Sequence, residues 1–145
     1  MVVAGDFNSL PGSAPHALLV NGRVDRAQLD ATPDPLGILK DQRLSHQLPL
    51  ASAYTTLMDA AGPDPRLAKQ RLRLDGRHRE PLFTNLTRDF KGTLDYVLYT
   101  RDSLVPTALL ELPTEAELTS RPEEALPNAN WSSDHVALMV ELAYR

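Results

Sequence analysis

Cysteine is absent from the 145 residues, which excludes a disulfide scaffold and any thiolate metal site without fixing the compartment. No apolar run approaches membrane-spanning length, and the N-terminus has neither a basic flank nor a cleavage signal. No membrane partner is therefore expected, and the expected setting is cytoplasmic, with the nucleus as a second location. An excess of positive charge is also missing. A net charge of −4 argues against a polyanion binder that relies on bulk electrostatics, but not against a site that neutralises phosphate locally with a bound cation. There is no internal repeat and no low-complexity tract. What remains is a composition 42% hydrophobic and 23% charged, which reads as one globular domain over residues 1–145. Twelve prolines predict long, irregular connections.

The first residues are the most informative. A short apolar run, Val2-Val3-Ala4, stops at Gly5, and a carboxylate and a carboxamide follow at Asp6 and Asn8. Residues i and i+2 of a strand share a side. Asp6 and Asn8 are thus expected to project together from the end of a buried strand, with Phe7 turned into the core. A carboxylate beside an amide suits a hard cation or a phosphate oxygen; an isolated Asp-x-Asn is also the signature of a capped turn. The chain opens inside this core-type strand with no lead-in, so a partner half is expected to be missing ahead of Met1.

Further along, residues 13–22 read as a short helix capped by Ser13, with Pro15 in its first turn and Asn21-Gly22 at its end. His16 is expected on its surface. Residues 23–50 are broken by prolines, with 34–39 packing apolar residues over the core as a loop and His46 structural or exposed. A short helix is expected within 50–61. Residues 65–79 concentrate Arg66, Lys69, Arg71, Arg73, Arg77 and Arg79, either as a solvated face or as a phosphate-backbone contact. Residues 80–87 and 93–100 read as a strand pair joined by a turn at 88–92. A strand over 104–112 carries Pro106, which suits an edge. A helix over 113–118 is capped by Thr114, a loop covers 122–130, and a last strand covers 136–144. This order suits an α+β sandwich.

Two downstream stretches give the opening its weight. Thr93-Leu94-Asp95-Tyr96-Val97 sets one acid into an otherwise apolar strand, which is costly unless it is paired. Ser132-Ser133-Asp134-His135 places an imidazole, the expected partner of Asp95, just before another strand. Hydrolysis of a phosphodiester needs an activated water, neutralised phosphoryl oxygens and help for the leaving oxygen. Mg²⁺ held by oxygen ligands supplies much of the last two. Asp6 is the candidate for orienting or deprotonating the water through a metal, and Asn8 for gripping a phosphoryl oxygen. Protonated His135 would stabilise the transition state, with Asp95 fixing its tautomer and raising its pKa. Asp134 is a candidate metal ligand or a group behind one. A purely structural Asp95–His135 pair is the alternative.

The Gly-Asp-Phe-Asn, Leu-Asp-Tyr and Ser-Asp-His blocks, in this order, resemble the endonuclease/exonuclease/phosphatase superfamily. The blocks around 35–39, 44–50, 80–85, 89–96 and 126–128 narrow this to a resemblance to the C-terminal half of a carbon catabolite repressor protein four-type deadenylase, closest in flavour to plant and green-algal members. The resemblance implies half of a four-layer α/β sandwich whose N-terminal half, with its metal-binding glutamate, is missing. It implies a Mg²⁺-dependent 3′-to-5′ exoribonuclease acting on the poly(A) tail of mRNA, impaired as a fragment, with single-stranded RNA as substrate and a deadenylase scaffold complex as partner. By the same resemblance Asp6 acts in catalysis and metal binding, Asn8 contacts the scissile phosphate, and Asn85 and Phe90 hold the terminal adenine. Asp95 and His135 match its acid–histidine pair. Other readings are a deoxyribonuclease-like phosphodiesterase, a nocturnin-like phosphatase, or a remnant that binds RNA or a scaffold without cutting.

Overall fold

Strand β5, Asp95–Thr100, is the axis of the molecule. Its β-branched and aromatic residues favour an extended, half-buried surface, and it is paired on both edges. On one side β1 (Val2–Asp6) runs antiparallel to it, with Val2 opposite Tyr99 and Asp6 opposite Asp95. On the other, β2 (Leu50–Ser52) pairs Leu50 with Thr100 and Ser52 with Leu98. The computed structural model describes residues 1–38, 44–119, 121 and 124–145. Leu39 of the expected 34–39 loop, and Pro122 and Glu123 of the 122–130 loop, lie outside the described residues.

The two faces of β5 have different neighbours. Val97 and Tyr99 pack with Ala53, Leu104, Val140 and Leu142. The last three belong to a two-stranded antiparallel sheet of β6 (Leu104–Leu109) and β7 (Val140–Tyr144), whose register slips between Pro106 and Ala108. Tyr96 and Leu98 point the other way, toward α1 (Ala14–Asn21), where the His16 and Tyr96 ring centroids are 5.2 Å apart. Beyond them α2 (Arg26–Asp30) carries a capping box from Asp25 and Gln28, and a 3-10 turn spans Tyr54–Met58. The helix α3 (Pro65–Arg71) and the short α4 (Glu115–Leu118), boxed by Thr114 and Glu117, complete the helical part. Between α3 and β5 a minimal hairpin pairs β3 (Asn85–Leu86) with β4 (Lys91–Gly92). The mixture is α+β, as the sequence pattern predicts. Among the described residues no helix is long and apolar enough to cross a membrane.

Several local expectations fail, each for a physical reason. β1 is an exposed outer strand rather than a buried one: among the described residues only one of its edges is paired, and Val2 remains 49% exposed. Residues 50–61 begin as strand, because Ala53 donates its N–H to Val97 and extends the β2–β5 ladder. Residues 80–87 and 93–100 do not pair with each other. The Leu94 and Asp95 N–H groups are taken by the Thr84 hydroxyl instead, and β5 turns away to β1 and β2. The last strand starts only at Val140, since the Met139 N–H donates to the Tyr54 hydroxyl. Leu36 and Ile38 stand out in solvent rather than over the core.

Candidate functional site

The site begins where β1 ends. One step past the ladder, Phe7 still donates its N–H to the Leu94 carbonyl at 2.9 Å. The chain then turns through Asn8, which adopts φ 46°, a left-handed conformation that asparagine tolerates better than most residues. Asn8 donates its backbone N–H to Asp6 Oδ1 at 2.8 Å and its side-chain amide to Oδ2 at 3.3 Å. The acid and the amide therefore form one corner, exposed to solvent. Phe7 lies on the other face, its ring 6.0 Å from that of Tyr96.

The corner is anchored from β5. The Tyr96 hydroxyl donates to the Ser9 carbonyl at 2.6 Å. Burial, followed by the charges of Glu80, Asp95 and Asp75, pushes that hydroxyl well above its ordinary value, so it stays protonated and able to donate. Asp95, its neighbour in sequence, faces the opposite way and lies across the ladder from Asp6.

His135 reaches Asp95 from the far end of the chain. Residues 134–136 lie antiparallel to 84–86: Leu86 donates to the Asp134 carbonyl at 3.0 Å and Val136 to the Thr84 carbonyl at 2.8 Å. The Ser133 hydroxyl accepts the His135 N–H. His135 Nδ1 meets Asp95 Oδ2 at 2.7 Å, which favours the tautomer with hydrogen on Nδ1 and leaves Nε2 for a substrate oxygen. Burial alone would pull this imidazole down. The Asp95 hydrogen bond and the charges of Asp95, Asp134 and Asp6 outweigh it, and the net shift is upward. Asp6, Asp95 and Asp134 thus act electrostatically on the His135 imidazole, from as far as 129 positions away in the chain (135 − 6).

Two expected base-contacting residues sit in more structural positions than their sequence context suggests. Asn85 is buried and donates its amide to Asp134 Oδ2 at 3.1 Å, so it orients that acid directly. Phe90 folds back over Gly92, where an added Cβ would lie 2.8 Å from its ring and 2.9 Å from Leu10. It remains half-buried and borders the loop that follows Asn8. His16 overturns the surface assignment: it is buried, its Nδ1 accepting the Gly12 N–H and its Nε2 lying 3.3 Å from Glu80, itself 1% exposed. Ser52 donates to the other Glu80 oxygen at 2.9 Å.

The basic stretch at 65–79 is largely neutralised within the fold. Arg66 pairs with Asp64, Arg79 with Asp59 and Arg73 with Glu117, while Arg71 donates to the carbonyls of Leu57 and Ala60. Thr84 is the supporting residue that sequence reading overlooks. It is fully buried, and its hydroxyl accepts both the Leu94 and the Asp95 N–H, which sets the start of β5. A hydroxyl set between Leu82-Phe83 and the candidate site residue Asn85 is the signal that could have found it.

As a cation site the donor set is partial and hard. Asp6 and Asp134 offer carboxylate oxygens and Asn8 an amide, while among the described residues no group of three or more acidic, histidine or cysteine side chains is placed to hold a metal. That fits Mg²⁺, which commonly uses one or two carboxylates and completes its shell with water and substrate phosphate.

Comparison with known proteins places this geometry in context. The family described as "Endonuclease/Exonuclease/phosphatase family" matches residues 1–135. "Carbon catabolite repressor protein 4 homolog 1" of Arabidopsis thaliana is 53% identical over 142 residues, covering 97% of this chain and 23% of that protein. "CCR4-Not complex 3'-5'-exoribonuclease subunit Ccr4" of Coccidioides immitis is 33% identical over 145 residues, which is 100% of this chain and 16% of the relative. The chain thus spans less than a quarter of the length of these relatives. Among solved structures, ANGEL2, described as a 2',3'-cyclic phosphatase, superposes with a TM-score of 0.62 at 24% identity, over 97% of this chain and 44% of that one. That likeness bears on the fold alone.

Proposed function

Because the chain belongs to the endonuclease/exonuclease/phosphatase family, we propose that it supplies part of the catalytic centre of a Mg²⁺-dependent 3′-to-5′ exoribonuclease that removes poly(A) from mRNA. The observation that carries this reading is the convergence of the Asp6–Asn8 corner with the Asp95–His135 pair across the end of the β1–β5 ladder. Hydrolysis of a phosphodiester needs a base or water-orienting acid, a grip on the phosphoryl group and a cation for the developing charge. Asp6 orients the attacking water. Asn8 holds a phosphoryl oxygen in line, its amide exchanging Asp6 for substrate. His135, its protonated form favoured by Asp95, donates from Nε2 to the charge that grows on the phosphorus oxygens. Asp6 and Asp134 are the residues that would hold Mg²⁺, which when bound supplies charge neutralisation on the phosphoryl oxygens.

Substrate choice is assigned to the β3–β4 hairpin. Phe90 offers an aromatic face to the terminal base, and Asn85, with one N–H on Asp134, keeps its carbonyl oxygen for an adenine amino group. The name of the Coccidioides relative, which describes a subunit of a larger complex, supports assembly on a deadenylase scaffold. The proposed location is the cytoplasm, with the nucleus as a second place where tailed mRNA is met.

Fluorescently labelled poly(A) incubated with the purified chain and Mg²⁺ tests the proposal. Shortening from the 3′ end that Asp6→Ala abolishes supports it. Binding without shortening points instead to a non-catalytic RNA-binding role, and equal shortening of poly(A) and poly(C) removes the adenine preference.

A further inference from the structure

At the turn of the β3–β4 hairpin, which carries Arg88, lies a cavity of about 510 Å³ lined by Arg88, Arg121, Glu124, Ala125, Pro127 and Asn128, among others. Its volume falls within the roughly 300–1,000 Å³ of small-ligand sites. It is tied to the catalytic residues through one strand: the Leu86 carbonyl accepts the Leu126 N–H, and the Leu86 N–H donates to the Asp134 carbonyl. Arg88 stands in the turn that also carries Phe90, a turn closed by the Thr87 N–H on the Phe90 carbonyl.

The arginines here differ from those of the 65–79 stretch. Arg66, Arg73 and Arg79 are each ion-paired within the fold. Arg88 and Arg121 have no ion pair or side-chain hydrogen bond among the described residues, and both are exposed, so the described lining of the cavity holds two unspent guanidinium groups and one carboxylate, Glu124. In a chain of net charge −4, the described side chains that line this cavity carry more positive than negative charge. The turn that starts at the cavity-lining Asn128 also presents a flat aromatic surface. Asn128 Oδ1 accepts the N–H groups of Asn130 and Trp131, and Trp131 is 41% exposed. Guanidinium groups match phosphate oxygens in a planar fork, and an exposed indole in the turn that starts at Asn128 offers a face on which a base can stack, which favours a nucleotide over a bare anion.

We propose that the Arg88–Arg121–Asn128 cavity binds backbone phosphates of single-stranded RNA upstream of the reacting end, with Trp131 stacking on an adjoining base. The inference rests on the nuclease reading for the course of the strand, which runs from the terminal base at Phe90 to the phosphates at Arg88 and Arg121. The subsite separates long substrates from short ones: a dinucleotide ends before reaching it.

The test is fluorescence anisotropy in EDTA with labelled diadenylate and with an oligoadenylate of about eight nucleotides, across a salt series. The full chain is compared with the Arg88→Gln/Arg121→Gln double variant and with Trp131→Ala. The expected result is that the double variant binds the longer oligomer about tenfold more weakly and flattens its salt slope by about 1.4, two phosphates at about 0.7 each. Diadenylate binding stays unchanged, and Trp131→Ala weakens the longer oligomer without altering the slope. Unchanged affinity and slope for the longer oligomer in the double variant overturns the subsite, as does equal weakening of both oligomers. Inorganic phosphate that competes beyond chloride of matched ionic strength overturns the strand assignment in favour of free phosphate. Poly(A) shortening distinguishes the two proposals: arginine-independent binding with Asp6-dependent cleavage removes only the subsite, whereas arginine-dependent binding without cleavage removes only the nuclease.

Discussion

Asp6 and Asp95 stand directly opposite one another across the β1–β5 ladder. Like charges in that position are destabilising, and each carboxylate has its own compensation, Asn8 on Asp6 and His135 on Asp95. A fold selected only for stability would not keep both acids. Their persistence is expected where a local rule is broken for function.

Asp6→Asn should therefore separate stability from activity. Removing one of two opposed charges raises unfolding stability by about 0.2–1 kcal/mol, read as a higher urea midpoint. Poly(A) shortening falls at least about a hundredfold. A variant that is less stable and still active contradicts the roles assigned here.

The raised pKa of His135 gives a signed pH dependence. Protonated His135 is favoured in the folded chain, so its contribution to stability is whole below the ordinary imidazole range and is lost as pH rises through the raised value. Asp95→Asn removes the acceptor charge. The His135 titration followed by NMR should move to lower pH, and the alkaline limb of any cleavage profile should move with it. An alkaline limb that stays in place would show that His135 does not act as a cation.

Thr84→Val leaves the Leu94 and Asp95 N–H groups without their acceptor in a fully buried position. The expected loss is about 1–3 kcal/mol by urea denaturation. Thr84→Ser, which keeps the hydroxyl, recovers most of it.

Gly92→Ala tests the seat of Phe90. The new methyl meets the ring at 2.8 Å and Leu10 at 2.9 Å, both ends of movable side chains. Stability should fall by only about 1 kcal/mol, while displacement of the ring raises KM for oligoadenylates more than it lowers kcat. An unchanged KM would remove Phe90 from the substrate contacts.

Glu80→Ala orphans the His16 imidazole and the Ser52 hydroxyl in the interior. Each unsatisfied group costs about 1–3 kcal/mol, so this should be the most damaging of the substitutions in thermal denaturation.

The site was more legible than the fold around it. Asp6, Asp95 and His135 stood out because each interrupts or borders an apolar strand, a local pattern that needs no knowledge of neighbours. His16 was misplaced because its environment is fixed by Glu80, 64 positions away, and nothing in residues 13–22 announces a buried carboxylate. The hairpin partners of residues 93–100 were misassigned for a similar reason. Thr84 takes two N–H groups from the start of β5, and a side chain that replaces a ladder hydrogen bond has no periodic signature. β1 looked buried because its residues are apolar, but burial depends on what covers a strand as well as on what it contains.

Asp95 and Tyr96 are consecutive residues with duties on opposite sides of one sheet: the first holds the imidazole, the second holds the loop behind the acid–amide corner. Because strand side chains alternate with a period of two, inserting or deleting a single residue at the head of β5 would exchange them, sending a carboxylate into the interior and a phenol into the cleft. Length variation among relatives of this chain should accordingly avoid this segment and gather in the connections, where the alternation of sides carries no chemistry.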